Sequence, residues 1–261
     1  MKIQRHILKT ADTLVSFIVF FSLIIAGVYA CYALWDNSTI YAAADDVQIE
    51  MLKLKPEVKG ARGPSFEDLL AINKDVRGWL TMDGTNIDYP VLQGRDNLSY
   101  INTDVYGNFS LAGSIYLDSR NDGNFNDTYS LLYGHYMDQD KMFGNLELYK
   151  DAKFFRENTT GTLLLLNKVY NLKTYAVLLI TASEDEIFEP TQWNPQNTDK
   201  LIEYVNKKAI HINPETREKI EQADYDSLKF LSLTTCSGEF TDARTVVLTI
   251  MEDVSGSRIG G

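Results

Sequence analysis

The hydrophobic pattern changes period twice along the chain. Residues 14–35, LVSFIVFFSLIIAGVYACYALW, form one uncharged run of 22 residues. As a helix, such a run spans a hydrocarbon core of about 30 Å. Lys2, Arg5 and Lys9 stand before it, and Asp36, Asp45, Asp46 and Glu50 follow. That asymmetry predicts a cytoplasmic N-terminus and an exported remainder. Tyr29, Tyr32 and Trp35 suit interfacial depth. A cleaved leader, with Ala42–Ala44 as its small-residue site, is the competing reading. The run exceeds the leader's usual apolar stretch of about 7–15 residues, which favours a retained anchor.

Behind the run, Ile40, Ala44, Val47, Met51, Leu54 and Val58 recur at 3/4 spacing. This predicts an amphipathic helix over 36–60, ended by Gly60, Gly63 and Pro64. Ser65 with Asp68 has capping-box spacing and opens a short helix through Leu69, Leu70 and Ile72. The period then falls to two. Short strand-like runs occupy 87–92, 114–117, 129–133, 162–166, 169–180, 228–235 and 245–251. Polar turns such as GRDN (94–97) and SRNDGNFND (119–127) separate them. Many short strands with polar turns predict a mainly β sandwich or closed barrel. Thr198–Lys208 reads as a helix and Asn213-Pro214 opens another, so 181–227 is expected to be a long helical insertion. The domain expectation is a cytoplasmic N-terminus over 1–13, a transmembrane anchor over 14–35 and a helical stalk over 36–64. A mainly β domain over 65–252 and a loose tail over 253–261 follow.

Composition narrows the function. The chain has 25 Lys+Arg and 36 Asp+Glu, a formal charge of 25 − 36 = −11. That balance argues against nucleic acid as a main partner, because phosphate binding needs clustered cations. Two cysteines and three histidines argue against a disulfide framework and a Cys/His zinc cluster.

The placement of the two cysteines matters more than their number. Cys31 falls in the membrane run, so Cys236 is the single cysteine of the exported part. A lone exported thiol is either buried and inert or kept for its reactivity. Cys236 ends the run LKFLSLTTC (228–236) and meets a polar loop. His135, in LLYGHYMDQDKMF (131–143), shares that strand-to-loop position, whereas His211 lies in the insertion and reads as a surface residue. Arg244 opens the strand RTVVLTIM (244–251), eight residues after Cys236. A thiol nucleophile, an imidazole acid/base and a guanidinium for an oxyanion are the groups acyl transfer needs. Spacing alone does not show that they converge.

LSLTTC (231–236) followed by Arg244 resembles the sortase signature TLxTC…R, with Ser232 for the first Thr. SLLYGHYMDQDKMFGNL (130–146), INKDVRGWLTMDGTNIDYPVLQGRDNLSYI (72–101) and GSIYLD (113–118) resemble class B sortases. The likeness runs in order through most of 65–252. It implies a closed eight-stranded sortase β-barrel with N-terminal helices, a helix in the long loop before the cysteine strand, and a preceding transmembrane helix. It implies Cys236 as nucleophile, His135 as acid/base and Arg244 as oxyanion and substrate clamp. Asn97, Ile101, Thr234 and Ser237 match positions lining the sorting-signal groove, and Ile187 and Phe188 add an apolar wall. Some class B members carry an acid two residues after the cysteine; here Gly238 stands there, followed by Glu239. The implied enzyme is a Gram-positive cell-surface transpeptidase needing no metal or organic cofactor. Its implied partners are secreted proteins bearing a C-terminal sorting signal and an amine from a peptidoglycan cross-bridge or a pilin lysine. A cysteine hydrolase and a non-catalytic peptide-binding module are the alternatives.

Overall fold

The computed structural model describes residues 2–56, 64–181, 186–235 and 243–255. Two compact units divide the chain, Met1–Ala43 and Ala44–Gly261. In the first, helix α1 (Lys2–Leu52) exposes its apolar side chains, with Leu14, Phe17, Ile25 and Leu34 all more than half accessible. Among the described residues α1 is one helix long and apolar enough to cross a membrane. Such a surface is costly in water and favourable in lipid.

The last turns of α1 belong to the second unit. Met51 is buried and Val47 packs on the same core. Asp45 pairs with Lys141, Gln48 Nε2 donates to the Asn86 carbonyl at 3.1 Å, and Tyr106 Oη donates to Glu50 at 3.0 Å. The helix stops at Leu52, short of the expected glycines. Pro56 disfavours a helical Lys55. Lys55 instead reaches Asp88 at 2.8 Å and Thr81 at 2.9 Å. Leu54 still touches the core, and Val58 lies outside the described residues. Helix α2 (Phe66–Ile72) opens at Ser65 with the reciprocal capping box its spacing predicts.

Eight strands close the barrel. They are β1 (Val76–Met82), β2 (Asp88–Leu92), β3 (Ile115–Leu117), β4 (Tyr129–Gly134), β5 (Thr160–Leu164), β6 (Val169–Thr181), β7 (Phe230–Thr235) and β8 (Ala243–Asp253). Their order around the ring is β1-β2-β3-β4-β7-β8-β6-β5, with β5 returning to β1. The β2–β3 and β4–β7 pairs are parallel and the others antiparallel. Leu132, Leu231, Leu233 and Val247 are fully buried on one face of the sheet, while Trp79, Tyr129, Leu131, Tyr175, Phe230 and Leu248 pack on the other face in a core shared with the covering helices. Helices α3 (Ala152–Glu157), α4 (Thr198–Lys208) and α5 (Pro214–Gln222) complete the unit, with Leu201, Val205 and Ile220 fully buried.

Two elements depart from the periodicity. β1 escapes it because the register shifts between Val76 and Gly78, which breaks the alternation that marks a strand. The insertion is not wholly helical: Ala209–Ile212 forms an edge strand on β6. The seam that closes the ring runs from Ala243 opposite Thr181 to Asp253 opposite Tyr170. Leu248 is fully buried in it. Leu248→Ala is expected to lower unfolding free energy by about 2–5 kcal/mol, measured by urea denaturation of the Ala44–Gly261 unit.

Candidate active site

The site lies where β4, β7 and β8 end or begin. In the parallel β4–β7 ladder, Thr234 aligns with Tyr133 and Thr235 with Gly134. In the antiparallel β7–β8 ladder, Thr234 faces Val246. Cys236 and Ser237 lie outside the described residues, as do Gly238 and Glu239. Their covalent neighbour Thr235 is described, and it is one residue from Cys236 as Gly134 is one residue from His135.

His135 is half-buried and held from two sides. Its main-chain carbonyl accepts from the Phe143 amide at 3.0 Å. Its ring Nε2 lies 2.6 Å from the Ile101 carbonyl. A carbonyl only accepts, so Nε2 carries a proton and Nδ1 is the nitrogen left for exchange. Two glycines make this possible. A Cβ on Gly134 would meet the Phe143 ring at 2.7 Å. Gly113, at φ +59°, runs against the carbonyls of Ile101 and Tyr100, the latter 2.8 Å from where its Cβ would stand. Ile101 thus serves His135 through its backbone, while its side chain packs on the core.

Arg244 is the second residue of β8, opposite Ile180. Its guanidinium carbon lies 4.8 Å from the centre of the Phe188 ring, a cation–π distance. Its Nε is buried without a hydrogen-bond partner among the described residues. Next to it, Thr245 donates to Glu147, in the helical turn Gly144–Lys150 that follows the His135 loop.

Asn97 does not present a free amide. Its Nδ2 donates to Asp118 at 2.9 Å and its Oδ1 accepts from the Ser119 amide at 2.7 Å. Ile187 is fully buried, and its carbonyl accepts from Tyr129 Oη at 2.8 Å. Thr234 is also fully buried, with Oγ1 donating to the Thr235 carbonyl at 3.3 Å. The structure therefore joins Ile101 with His135 and Phe188 with Arg244. It ties Asn97 to Asp118 and keeps the side chains of Ile187 and Thr234 inside. His211 is remote in role: it bonds the Lys150 carbonyl at 2.8 Å and stacks on Phe155.

Sequence reasoning passed over Asp118 and Arg120. Asp118 is fully buried and accepts from Arg120 Nε at 2.9 Å and Nη2 at 2.8 Å, with Tyr133 Oη at 3.3 Å. Burial pushes the Asp118 carboxyl up, but the bonds from Arg120 and Asn97 outweigh it and hold the group below its ordinary value of 3.8. The signal in the sequence is an acid and a base two residues apart, where the strand run 114–117 meets the turn 119–127. Among the described residues no His/Cys/Asp/Glu cluster of three or more is arranged to hold a metal.

No family model matches the chain. Sortase B of Listeria monocytogenes is 30% identical over 243 residues, covering 92% of this chain and 93% of the relative. Sortase B of Staphylococcus aureus is 26% identical over 194 residues, covering 74% and 76%. Among solved structures, the Streptococcus pyogenes class B sortase Spy0129, involved in pilus biogenesis, is 34% identical with a TM-score of 0.64. It covers 75% of this chain and 100% of its own. The Clostridium perfringens sortase B structure is 31% identical with a TM-score of 0.65, covering 72% and 100%. The chain belongs to the class B sortases. It has their closed eight-stranded barrel and is a cysteine transpeptidase, which sets the pure binding module aside.

Two outcomes follow from this geometry. Because the folded-state pKa of Asp118 is lowered, its stabilisation is full above the ordinary value and is lost as pH falls through the lowered one. The stability gap between the native chain and Asp118→Asn is therefore expected to be about 1–3 kcal/mol at pH 7 and to shrink below about pH 4, read by denaturant titration at each pH. Gly113→Ala should push the Ile101 carbonyl off His135. Imidazole ¹⁵N–¹H spectra are expected to lose the hydrogen-bonded Nε2–H signal that the native protein shows.

Proposed function

We propose that this sortase cleaves the C-terminal sorting signal of secreted proteins through a thioester on Cys236 and transfers the acyl group to an amine. The observation that carries the reading is the pair of ladders around β7. The parallel one stops at Thr235 and Gly134, each one residue before Cys236 and His135. The antiparallel one pairs Thr234 with Val246, each two residues from Cys236 and Arg244.

The Cys236 thiolate attacks the scissile carbonyl and Arg244 stabilises the tetrahedral oxyanion. The C–N bond breaks as Nδ1 of the His135 imidazolium gives its proton to the leaving amine. Nε2 keeps its proton on the Ile101 carbonyl throughout. An incoming amine then attacks the thioester, passes a proton to Nδ1 and returns Cys236 as thiolate. Asn97, Ile101, Ile187, Phe188, Thr234 and Ser237 would shape the groove, several of them through backbone or packing. The basic flank before the apolar run of α1 and the acidic flank after it support a cytoplasmic N-terminus and an extracellular barrel. Tethering both substrates' enzyme at the membrane raises the effective concentration of membrane-bound donors.

The acceptor we favour is the peptidoglycan cross-bridge, which makes the product a wall-anchored surface protein. A pilin lysine is the second reading, favoured by the 34% identity to a class B sortase involved in pilus biogenesis. The test incubates the Ala44–Gly261 unit with a library of candidate sorting peptides and either a cross-bridge-like peptide or a purified pilin. A thioester at Cys236, resolved onto the cross-bridge amine and lost in Cys236→Ala, is the expected mass-spectrometric result. Resolution onto pilin lysine alone would establish polymerisation instead, and peptide turnover that survives Cys236→Ala would overturn the mechanism.

A further inference from the structure

Residues 186–188, one turn of 3-10 helix, form a strap held through successive carbonyls. The Glu186 carbonyl accepts from Gln192 Nε2 at 2.5 Å and Trp193 Nε1 at 3.2 Å. The Ile187 carbonyl accepts from Tyr129 Oη, and the Phe188 carbonyl accepts from Arg120 Nη2 at 2.8 Å. Arg120 Nη1 also bonds the Glu189 carboxylate at 2.5 Å. Arg120 is thus a fork with one side on buried Asp118 and the other on the strap. Its guanidinium is planar and cannot lose its charge, so it fixes direction as well as distance. At the far side of the strap the Phe188 ring lies against Arg244, whose buried Nε has no hydrogen-bond partner among the described residues. The orientation of Arg244 therefore leans on that ring.

We infer that Arg120 is a positioning residue for the acyl-donor step: seated on Asp118, it holds the 186–189 strap so that Phe188 aims the guanidinium of Arg244. The inference rests on the proposed role of Arg244. Asn97 belongs to the same device, since its amide completes the Asp118 seat. A Lys at 120 keeps a cation for Asp118 but lacks the fork that reaches the strap.

The test uses the full chain in detergent micelles, carrying Arg120→Lys, Phe188→Leu or both. The peptide is the internally quenched one that the native chain cleaves fastest from a randomised library. Arg120→Lys is expected to lower kcat/KM for that peptide about tenfold while leaving the KM of the amine and the rate of Cys236 alkylation by iodoacetamide unchanged. In the Phe188→Leu background the same change should have little further effect, because the two act in series. Hydrogen exchange reads the strap with no substrate: the amides of Glu189, Gln192 and Trp193, each bonded within 186–193, should exchange about tenfold faster in Arg120→Lys. Unchanged exchange overturns the inference whatever the peptide assay gives. Unchanged kcat/KM in an active enzyme overturns it while leaving the proposed function standing. A native chain that forms no thioester defeats the proposed function and, with it, the inferred role.

Discussion

The parallel pairing of β4 with β7 is the constraint on which the site depends. Antiparallel neighbours can be joined by a tight turn, but a parallel pair demands a long crossover. Here the crossover from Gly134 to Phe230 contains the His135 loop, α3, the β5–β6 hairpin and the whole insertion with α4 and α5. The reward is that two strands end side by side, pointing the same way. Residues ~100 positions apart in sequence leave the sheet together. Every later feature of the site follows from that shared end.

A closed ring makes the shared end rigid. The strands of the ring resist slipping, because β6 and β8 lock the seam from Thr181 to Tyr170 and a one-residue slip would exchange the two faces of a strand. The polar groups at the barrel end are then held to fixed points. Ile101 and Gly113 set the His135 ring, and Asp118 with Arg120 sets the strap against Arg244. Main-chain carbonyls do much of this work. They offer acceptors whose positions are fixed by the fold and not by rotamers.

What the sequence made legible divides along the same line. Strand runs such as 228–235 and 169–180, the α4 helix and the Ser65 cap were readable because each follows from local period or spacing. Cys236, His135 and Arg244 stand out as candidates by residue type and strand-end context, and the family likeness points to the same three. β1 was not readable, since its bulge erases the alternation. The Ile101 carbonyl left no trace, because a backbone acceptor has no side-chain signature. Asp118 stands between a strand run and a turn with nothing in the sequence to single it out; its complete burial and three side-chain partners reveal it as the seat of Arg120. Asn97, which matches a groove position in the family, braces that seat with its amide.

The proposed chemistry needs Cys236 beside His135, and the last described pair of the β4–β7 ladder is Thr235 with Gly134, one residue before each. In a parallel ladder, neighbouring positions lie about 4.8 Å apart, inside the range of about 4.4–6.8 Å that a disulfide spans between Cα atoms. The direct measurement is the mild oxidation of a His135→Cys, Cys31→Ser chain, followed by intact mass and peptide mapping. An intramolecular bond between positions 135 and 236, formed in the folded protein, is the expected result. Two free thiols that both alkylate under the same oxidant, with no cross-link between them, would contradict it.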